Sequence, residues 1–267
     1  MSIATEERYV RNPKNWIIFD GKSLADFKLY CSGDKTFSAP QRNVDLITIP
    51  GRNGSLARDK GTFANITVEY SCWIPSNFRG NVEALRNYLL SKAGYKRLED
   101  TYDPDTFRLA VFQGPLDVSA YYSSTFGSFT LQFQARPERF LKSGEEEIAI
   151  TGDNIVRNAT PFASNPLIHI TDLSVIGCYI TIGSYKITLR DVIGPQISDL
   201  TIDTENLNAY GTSVQTGELI NCNEIIYPVN KEKWALLEPG ENAVKIQRLG
   251  SVISTNGVKL IPRWWIL

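Results

Sequence analysis

Few residues in this chain could do chemistry, and their spacing argues against most of it. His169 is the only histidine in 267 residues, so a multi-histidine metal centre is excluded and a serine triad would rest on this one imidazole. No Gly-x-Ser-x-Gly elbow accompanies it. It lies in the run Leu167-Ile168-His169-Ile170 and reads as a structural or surface position. Glu99, Asp100, Asp103 and Asp105 invite a calcium or glycosidase reading, but they lack the spacing and terminal glutamate of an EF-hand. Carboxylates of one turn also need not face each other across a cleft. Asp103-Pro104-Asp105 is an ordinary turn former, so a solvated turn is expected. Arg52 could meet a phosphate, yet no Gly-Lys-Ser/Thr follows and no strand-loop-helix context surrounds it. Cys31, Cys72, Cys178 and Cys222 are spread too widely for a zinc knuckle or a redox pair and are expected to be reduced core thiols. Glu145-Glu146-Glu147 reads as a solvated linker, with an ion-pairing patch in an assembly as the alternative. No catalytic, cofactor-binding or metal-binding residue is assigned, and an enzyme is not expected.

Aromatic residues offer one further chemistry, stacking against sugar rings, with Trp234, Tyr210, Tyr227, Trp264 and Trp265 as candidates. Trp264 and Trp265 are adjacent, so on a strand they point to opposite faces and at most one enters a core. The competing reading is structural.

Composition sets the frame for these residues. Hydrophobic content of 42% and charged content of 21% are near globular averages. The 28 basic and 29 acidic side chains leave a formal charge of -1, so there is no electrostatic footprint for non-specific nucleic-acid binding. The first residues lack a basic start followed by an apolar run, and no apolar run approaches a bilayer span; neither a signal peptide nor a membrane segment is expected.

The elements that must position these residues are mostly strands. Residues 16–19 and 27–31 read as a hairpin around Asp20-Gly21. Val44, Leu46, Ile47 and Ile49 form a strand stopped by Pro50, and Gly51-Arg52-Asn53-Gly54 follows as a tight turn. Residues 63–74 alternate with period two, predicting a strand with one buried face. Val82, Leu85, Tyr88 and Leu89 recur at helical spacing, predicting one helix over 81–93 with Asn77 or Asn81 as cap and Gly94 beyond its end. Residues 95–98, 107–112, 116–122 and 126–135 then read as an antiparallel meander. Composition changes at 136–147, where a linker is placed. The second half carries strands at 148–151, 166–170, 178–182, 185–189, 200–203, 244–249 and 258–262 between glycine turns, the pattern of a β-sandwich.

Three motifs in order carry a resemblance: Phe19-Asp20-Gly21, Ile49-Pro50-Gly51-Arg52-Asn53-Gly54, and Pro262-Arg263-Trp264-Trp265. With these the chain resembles the distal tail protein (Dit) family of long-tailed bacteriophages, over nearly its whole length. In the second half, Asn165-Pro166, Ile202-Asp203-Thr204 and Pro239-Gly240-Glu241-Asn242 resemble the landmarks of that family's galectin-like sandwich. The resemblance implies a mainly β protein: an N-terminal ring-forming, tail-tube-like antiparallel domain with one helix over 1–140, a linker over 141–147, and a C-terminal galectin-like β-sandwich over 148–267.

It also implies a role. The chain would be the structural hub of a siphophage tail tip or baseplate, from a phage of a Gram-positive host. It would form a ring, commonly a hexamer, that joins the tail tube to the host-attachment apparatus. Partners would be copies of itself, the tail tube protein, the tail-tip or tail-associated protein, the tape measure protein, and receptor-binding or other baseplate proteins. DNA would pass through the channel without specific binding, and the protein would be made in the host cytoplasm and end in the virion. Gly51, Arg52, Asn53 and Gly54 are the expected subunit-interface residues. The alternative is a carbohydrate-binding module for host-wall polysaccharide, using Tyr210 and Trp234.

Overall fold

A computed structural model describes residues 16–121, 125–190, 196–228, 235–248, 251–253 and 255–267. The chain is mainly β, and its contacts divide it into two compact units, one ending at Arg139 and taking in Leu267, the other running Phe140–Ile266.

The first unit is built on an antiparallel sheet whose spatial order is Lys22–Ser23, Ile17–Phe19, Lys96–Asp100, Thr106–Val111, Phe126–Ala135, Ile66–Ile74 and Tyr30–Cys31. The expected meander is only partly formed: Lys96–Asp100 pairs with Thr106–Val111, but Thr106–Val111 then pairs with Phe126–Ala135, and Ser119–Tyr121 lies off this order, paired with the start of Phe126–Ala135. Ile66–Ile74 and Phe126–Ala135 are its longest pair, in register from Ile66 against Ala135 to Ile74 against Gly127. Period-two alternation sends Val68, Tyr70, Cys72, Phe129, Leu131 and Phe133 into the core. The other face is polar: Gln132 donates to Glu69 and Gln134 to Thr67, each at 2.7 Å.

The helix α1, Phe78–Leu90, buries Phe78, Val82, Leu85 and Leu89. It begins three residues earlier than the spacing predicts because Asn77 takes a left-handed conformation at the cap and Phe78 is already inside. It ends earlier too, where the Ser91 hydroxyl turns back onto the Tyr88 carbonyl at 2.8 Å. Gly127 lies beneath its start: a Cβ there would fall 2.5 Å from the Phe78 ring and 2.3 Å from the Ser119 carbonyl.

Two sequence expectations fail here for physical reasons. Asp20 and Gly21 both take positive φ, the type I′ geometry that closes a two-residue hairpin, so Ile17–Phe19 pairs with Lys22–Ser23 rather than with 27–31. Residues Leu24–Phe27 become a 3-10 turn, and Tyr30–Cys31 crosses to the opposite edge of the sheet. The second is the strand expected over 63–74: it begins at Ile66, and Phe63 instead ends a separate strand, Ser55–Phe63, for which the sequence pattern predicts no element and which pairs with Arg42–Thr48.

The second unit has two six-stranded sheets. One runs Ile148–Ala149, Val258–Ile261, Leu167–Ile170, Leu200–Asp203, Asn208–Thr212, Leu219–Asn221; the other Asp153–Asn158, Gly240–Arg248, Tyr179–Ile182, Tyr185–Leu189, Ile226–Pro228, with Ser251–Val252 beside Gly240–Arg248. Ile168, Ile170, Leu200, Ile202, Val258 and Leu260 from the first share one core with Ile180, Ile182, Ile187, Leu189, Val244 and Ile246 from the second. Two sheets with alternating inward side chains around one core make a β-sandwich.

Candidate functional site

The most unusual feature of the first unit is a hairpin that belongs to no larger sheet. Among the described residues, Arg42–Thr48 and Ser55–Phe63 pair only with each other. Gly51, Arg52, Asn53 and Gly54 form its tip, all exposed. Gly51 and Gly54 have φ of +78° and +80°, a backbone that glycine adopts without strain. The Arg52 amide donates to the Ile49 carbonyl at 3.2 Å, which closes the bend after Pro50.

Exposed apolar side chains occur on both faces of this arm, among charged ones. Register places Ile47 opposite Leu56 on one face and Leu46 opposite Ala57 on the other. Leu46 is 71% exposed, Leu56 46%, Ile47 43% and Val44 39%. Ion pairs hold the base instead of a core: Arg42 grips Asp59 at 2.5 Å, and Lys60 meets Asp45 at 2.8 Å. The Arg42 hydrogen bond and that of the Gly61 amide hold the Asp59 carboxyl below its ordinary value. An isolated two-stranded hairpin is marginal in water, and this one leaves apolar side chains exposed on both faces.

The residues weighed for chemistry are occupied structurally. Asp100 accepts from the Tyr70 hydroxyl at 2.6 Å and from the amides of Tyr102 and Asp103. Asp103 pairs with Arg139 at 2.8 Å and accepts from Thr106 at 2.8 Å. These groups line a pocket of about 210 Å³ with Lys35 and Arg108. Burial brings Lys35 down to about 8, and burial together with Arg139 brings Arg108 to about 10. Burial also drives the Tyr70 phenol well above its ordinary value, so it donates rather than ionises. His169 Nδ1 lies 3.0 Å from the Thr201 hydroxyl and 3.9 Å from Asp199. No group of three or more His, Cys, Asp or Glu able to hold a metal ion occurs among the described residues. Nor, among them, is any helix long and apolar enough to cross a membrane.

In the second unit the two adjacent tryptophans are likewise held structurally, whereas Tyr227 is 49% exposed. Trp265 stacks on Phe162 at 4.3 Å and donates to the Ala163 carbonyl at 2.9 Å, while Trp264 packs against the core. Tyr210 is half-buried on the Asn208–Thr212 strand, opposite Thr201 and Asn221. Trp234 lies outside the described residues. Of the acidic run, Glu147 pairs with Lys259 at 2.5 Å.

All four cysteines are free, but their separation in sequence hid one relation. Cys31 and Cys72 stand directly opposite each other on paired strands. The second arm of the hairpin was equally hidden, since Ser55–Phe63 has no buried face to impose an alternating pattern.

No family model and no curated protein matches the chain, whereas solved structures do. The crystal structure of SPP1 Dit, described as a paradigm of the hub adsorption apparatus in Gram-positive infecting phages, aligns over 95% of this chain and 99% of its own, with a TM-score of 0.62 and 14% identity. The phage p2 baseplate in its activated conformation aligns over 92% of this chain and 96% of the other, with TM-scores of 0.53 in the calcium form and 0.52 in the strontium form, at 9% and 10% identity. At these identities the likeness is one of fold, and it extends through both units: the chain has the fold of a phage Dit protein.

Proposed function

We propose that this protein is a structural hub of a phage tail tip or baseplate, closing into a ring of its own copies between the tail tube and the host-attachment proteins. The observation that carries the reading is the end-to-end likeness to SPP1 Dit, covering 99% of that chain. The free hairpin supports it. A ring needs a heterologous contact repeated about an axis, and a hairpin at 42–63 with apolar residues on both faces and Gly51, Arg52, Asn53 and Gly54 at its tip offers one half of such a contact.

In this reading the first unit forms the ring, six copies being the natural count for the family the sequence resembles. The ring leaves a channel for DNA and meets the tail tube protein, the tape measure protein and the tail-tip protein along the tail axis. The second unit, a galectin-like sandwich, holds receptor-binding or other baseplate proteins. The protein is made in the host cytoplasm and ends in the virion. Negative-stain images of the purified protein test this: closed rings with a central opening of about 20 Å or more, wide enough for a DNA duplex given its groove dimensions, support it. Fields of single particles without an opening at every concentration contradict it.

A further inference from the structure

Among the described residues the strand Tyr30–Cys31 is the last in its sheet, and its neighbour there is Ile66–Ile74. In that pairing Cys31 faces Cys72. The next rung tells which kind of facing pair this is. The Ser32 amide donates to the Ser71 carbonyl at 2.9 Å, so Ser32 and Ser71 are the hydrogen-bonded pair and Cys31 and Cys72, one residue along, are a non-hydrogen-bonded pair. Such pairs bring Cα atoms to about 4.5 Å with side chains on the same face, inside the span of roughly 4.4–6.8 Å that a disulfide bridges. Burial, with Cys31 beside it, pushes the Cys72 thiol well above its ordinary value, and the Lys35 charge acts on both sulfurs. Cys178 and Cys222 have no such neighbour: Arg248 Nε donates to the Cys178 sulfur at 3.2 Å, and the Cys222 thiol is directed at the Ile220 carbonyl.

We propose that Cys31 and Cys72 form a redox-active pair that closes into a cross-strand disulfide when the folded protein meets an oxidising low-molecular-weight disulfide. Cys31 is partly buried and Cys72 only 3% exposed, so Cys31 is the more accessible thiol and reacts first. Cys31 loses its proton, and its thiolate attacks one sulfur of oxidised glutathione. The glutathione S–S bond breaks, one glutathione thiolate leaves, and a mixed disulfide remains on Cys31. Cys72 then loses its proton and attacks the Cys31 sulfur, expelling the second glutathione thiolate. The protein gives up two electrons and two protons, and one glutathione disulfide becomes two glutathione thiols.

The bond would tie together the two strands from which the 42–63 hairpin springs, since the loop it closes, 31–72, contains the whole arm. Thiols stay free in a reducing cytoplasm and oxidise outside it, so the base of the arm would be stapled after release; this consequence rests on the hub reading, whereas the pair itself rests on the sheet register alone.

The test treats the full-length folded protein with excess oxidised glutathione, then counts free thiols and maps linked peptides by mass spectrometry. The proposal expects two of the four thiols to disappear, the mass to fall by two hydrogens, and the Cys31 peptide to be joined to the Cys72 peptide. Melting should rise by roughly 10 °C and return on reduction, as closure of a loop of about 40 residues implies. C72S should trap glutathione on Cys31, and C31S should take up none. Four free thiols after treatment of the wild-type protein, or a link through Cys178 or Cys222, would overturn the proposal. An adduct at Cys72 in C31S would overturn the order assigned.

Discussion

Replacing Leu46 by Asp separates the two states in which the arm can exist. In the free chain Leu46 is 71% exposed and its cross-strand partner is Ala57, so the substitution costs no more than about 0.5 kcal/mol there. Covered by a neighbouring copy, the same side chain loses the water it now meets. Full burial of a leucine stabilises by about 1.5–3 kcal/mol, and 71% of that exposure corresponds to roughly 1–2 kcal/mol. An aspartate at the same place forfeits that term and adds the cost of a carboxylate without a partner, at least another 1–3 kcal/mol. The contact should therefore weaken by about 3 kcal/mol, more than 100-fold in each association constant. Light scattering across a concentration series, beside a thermal melt of the dilute chain, reads both quantities. The expected result is a melt unchanged to within about 3 °C and an assembly pushed to much higher concentration, with Leu46→Met near wild type. A Leu46→Asp chain that assembles at the wild-type concentration would refute the argument that this face is covered.

Leu85→Ala removes a fully buried side chain from the face of α1 that packs on the first core, and should cost about 2–5 kcal/mol by urea unfolding. Asp203 supplies a pH test in the second unit. Burial raises its carboxyl, but the hydrogen bonds of Arg263 and Asn206 outweigh this and the group stays below its ordinary value. A depressed carboxyl contributes stability that is present above the unfolded value near 3.9 and lost as pH falls through the folded one. Melts from pH 7 downward should thus fall more steeply for the wild-type protein than for Asp203→Asn, and equal slopes would remove Asp203 from the account.

What could be read in advance followed from burial. Ile66–Ile74 and Phe126–Ala135 each bury one face, so their alternation is plain and the strands lie where the pattern puts them. Phe126–Ala135, Tyr185–Leu189 and Leu200–Asp203 match to the residue. The failures lie where that pressure is absent. Ser55–Phe63 has no buried residue and carries charges on both faces, which leaves sequence periodicity nothing to report. Asp153–Asn158 and Asn208–Thr212 were missed because polar side chains interrupt their alternation. The Cys31–Cys72 pairing was illegible for a different reason: it depends on a two-residue strand crossing to the far edge of the sheet, and no local spacing encodes that. Of the arm, the first strand and the glycine tip were visible, the one from its β-branched run and the other from its turn residues; the returning strand was not.

The most direct measurement of the central claim is the native mass of the purified chain by light scattering at several concentrations. The chain alone is 29.9 kDa. A ring of six copies predicts a species of about 180 kDa that keeps its mass on dilution across a wide range, as a closed set of heterologous contacts does. A mass that stays at that of one chain at every concentration would contradict the self-assembling hub.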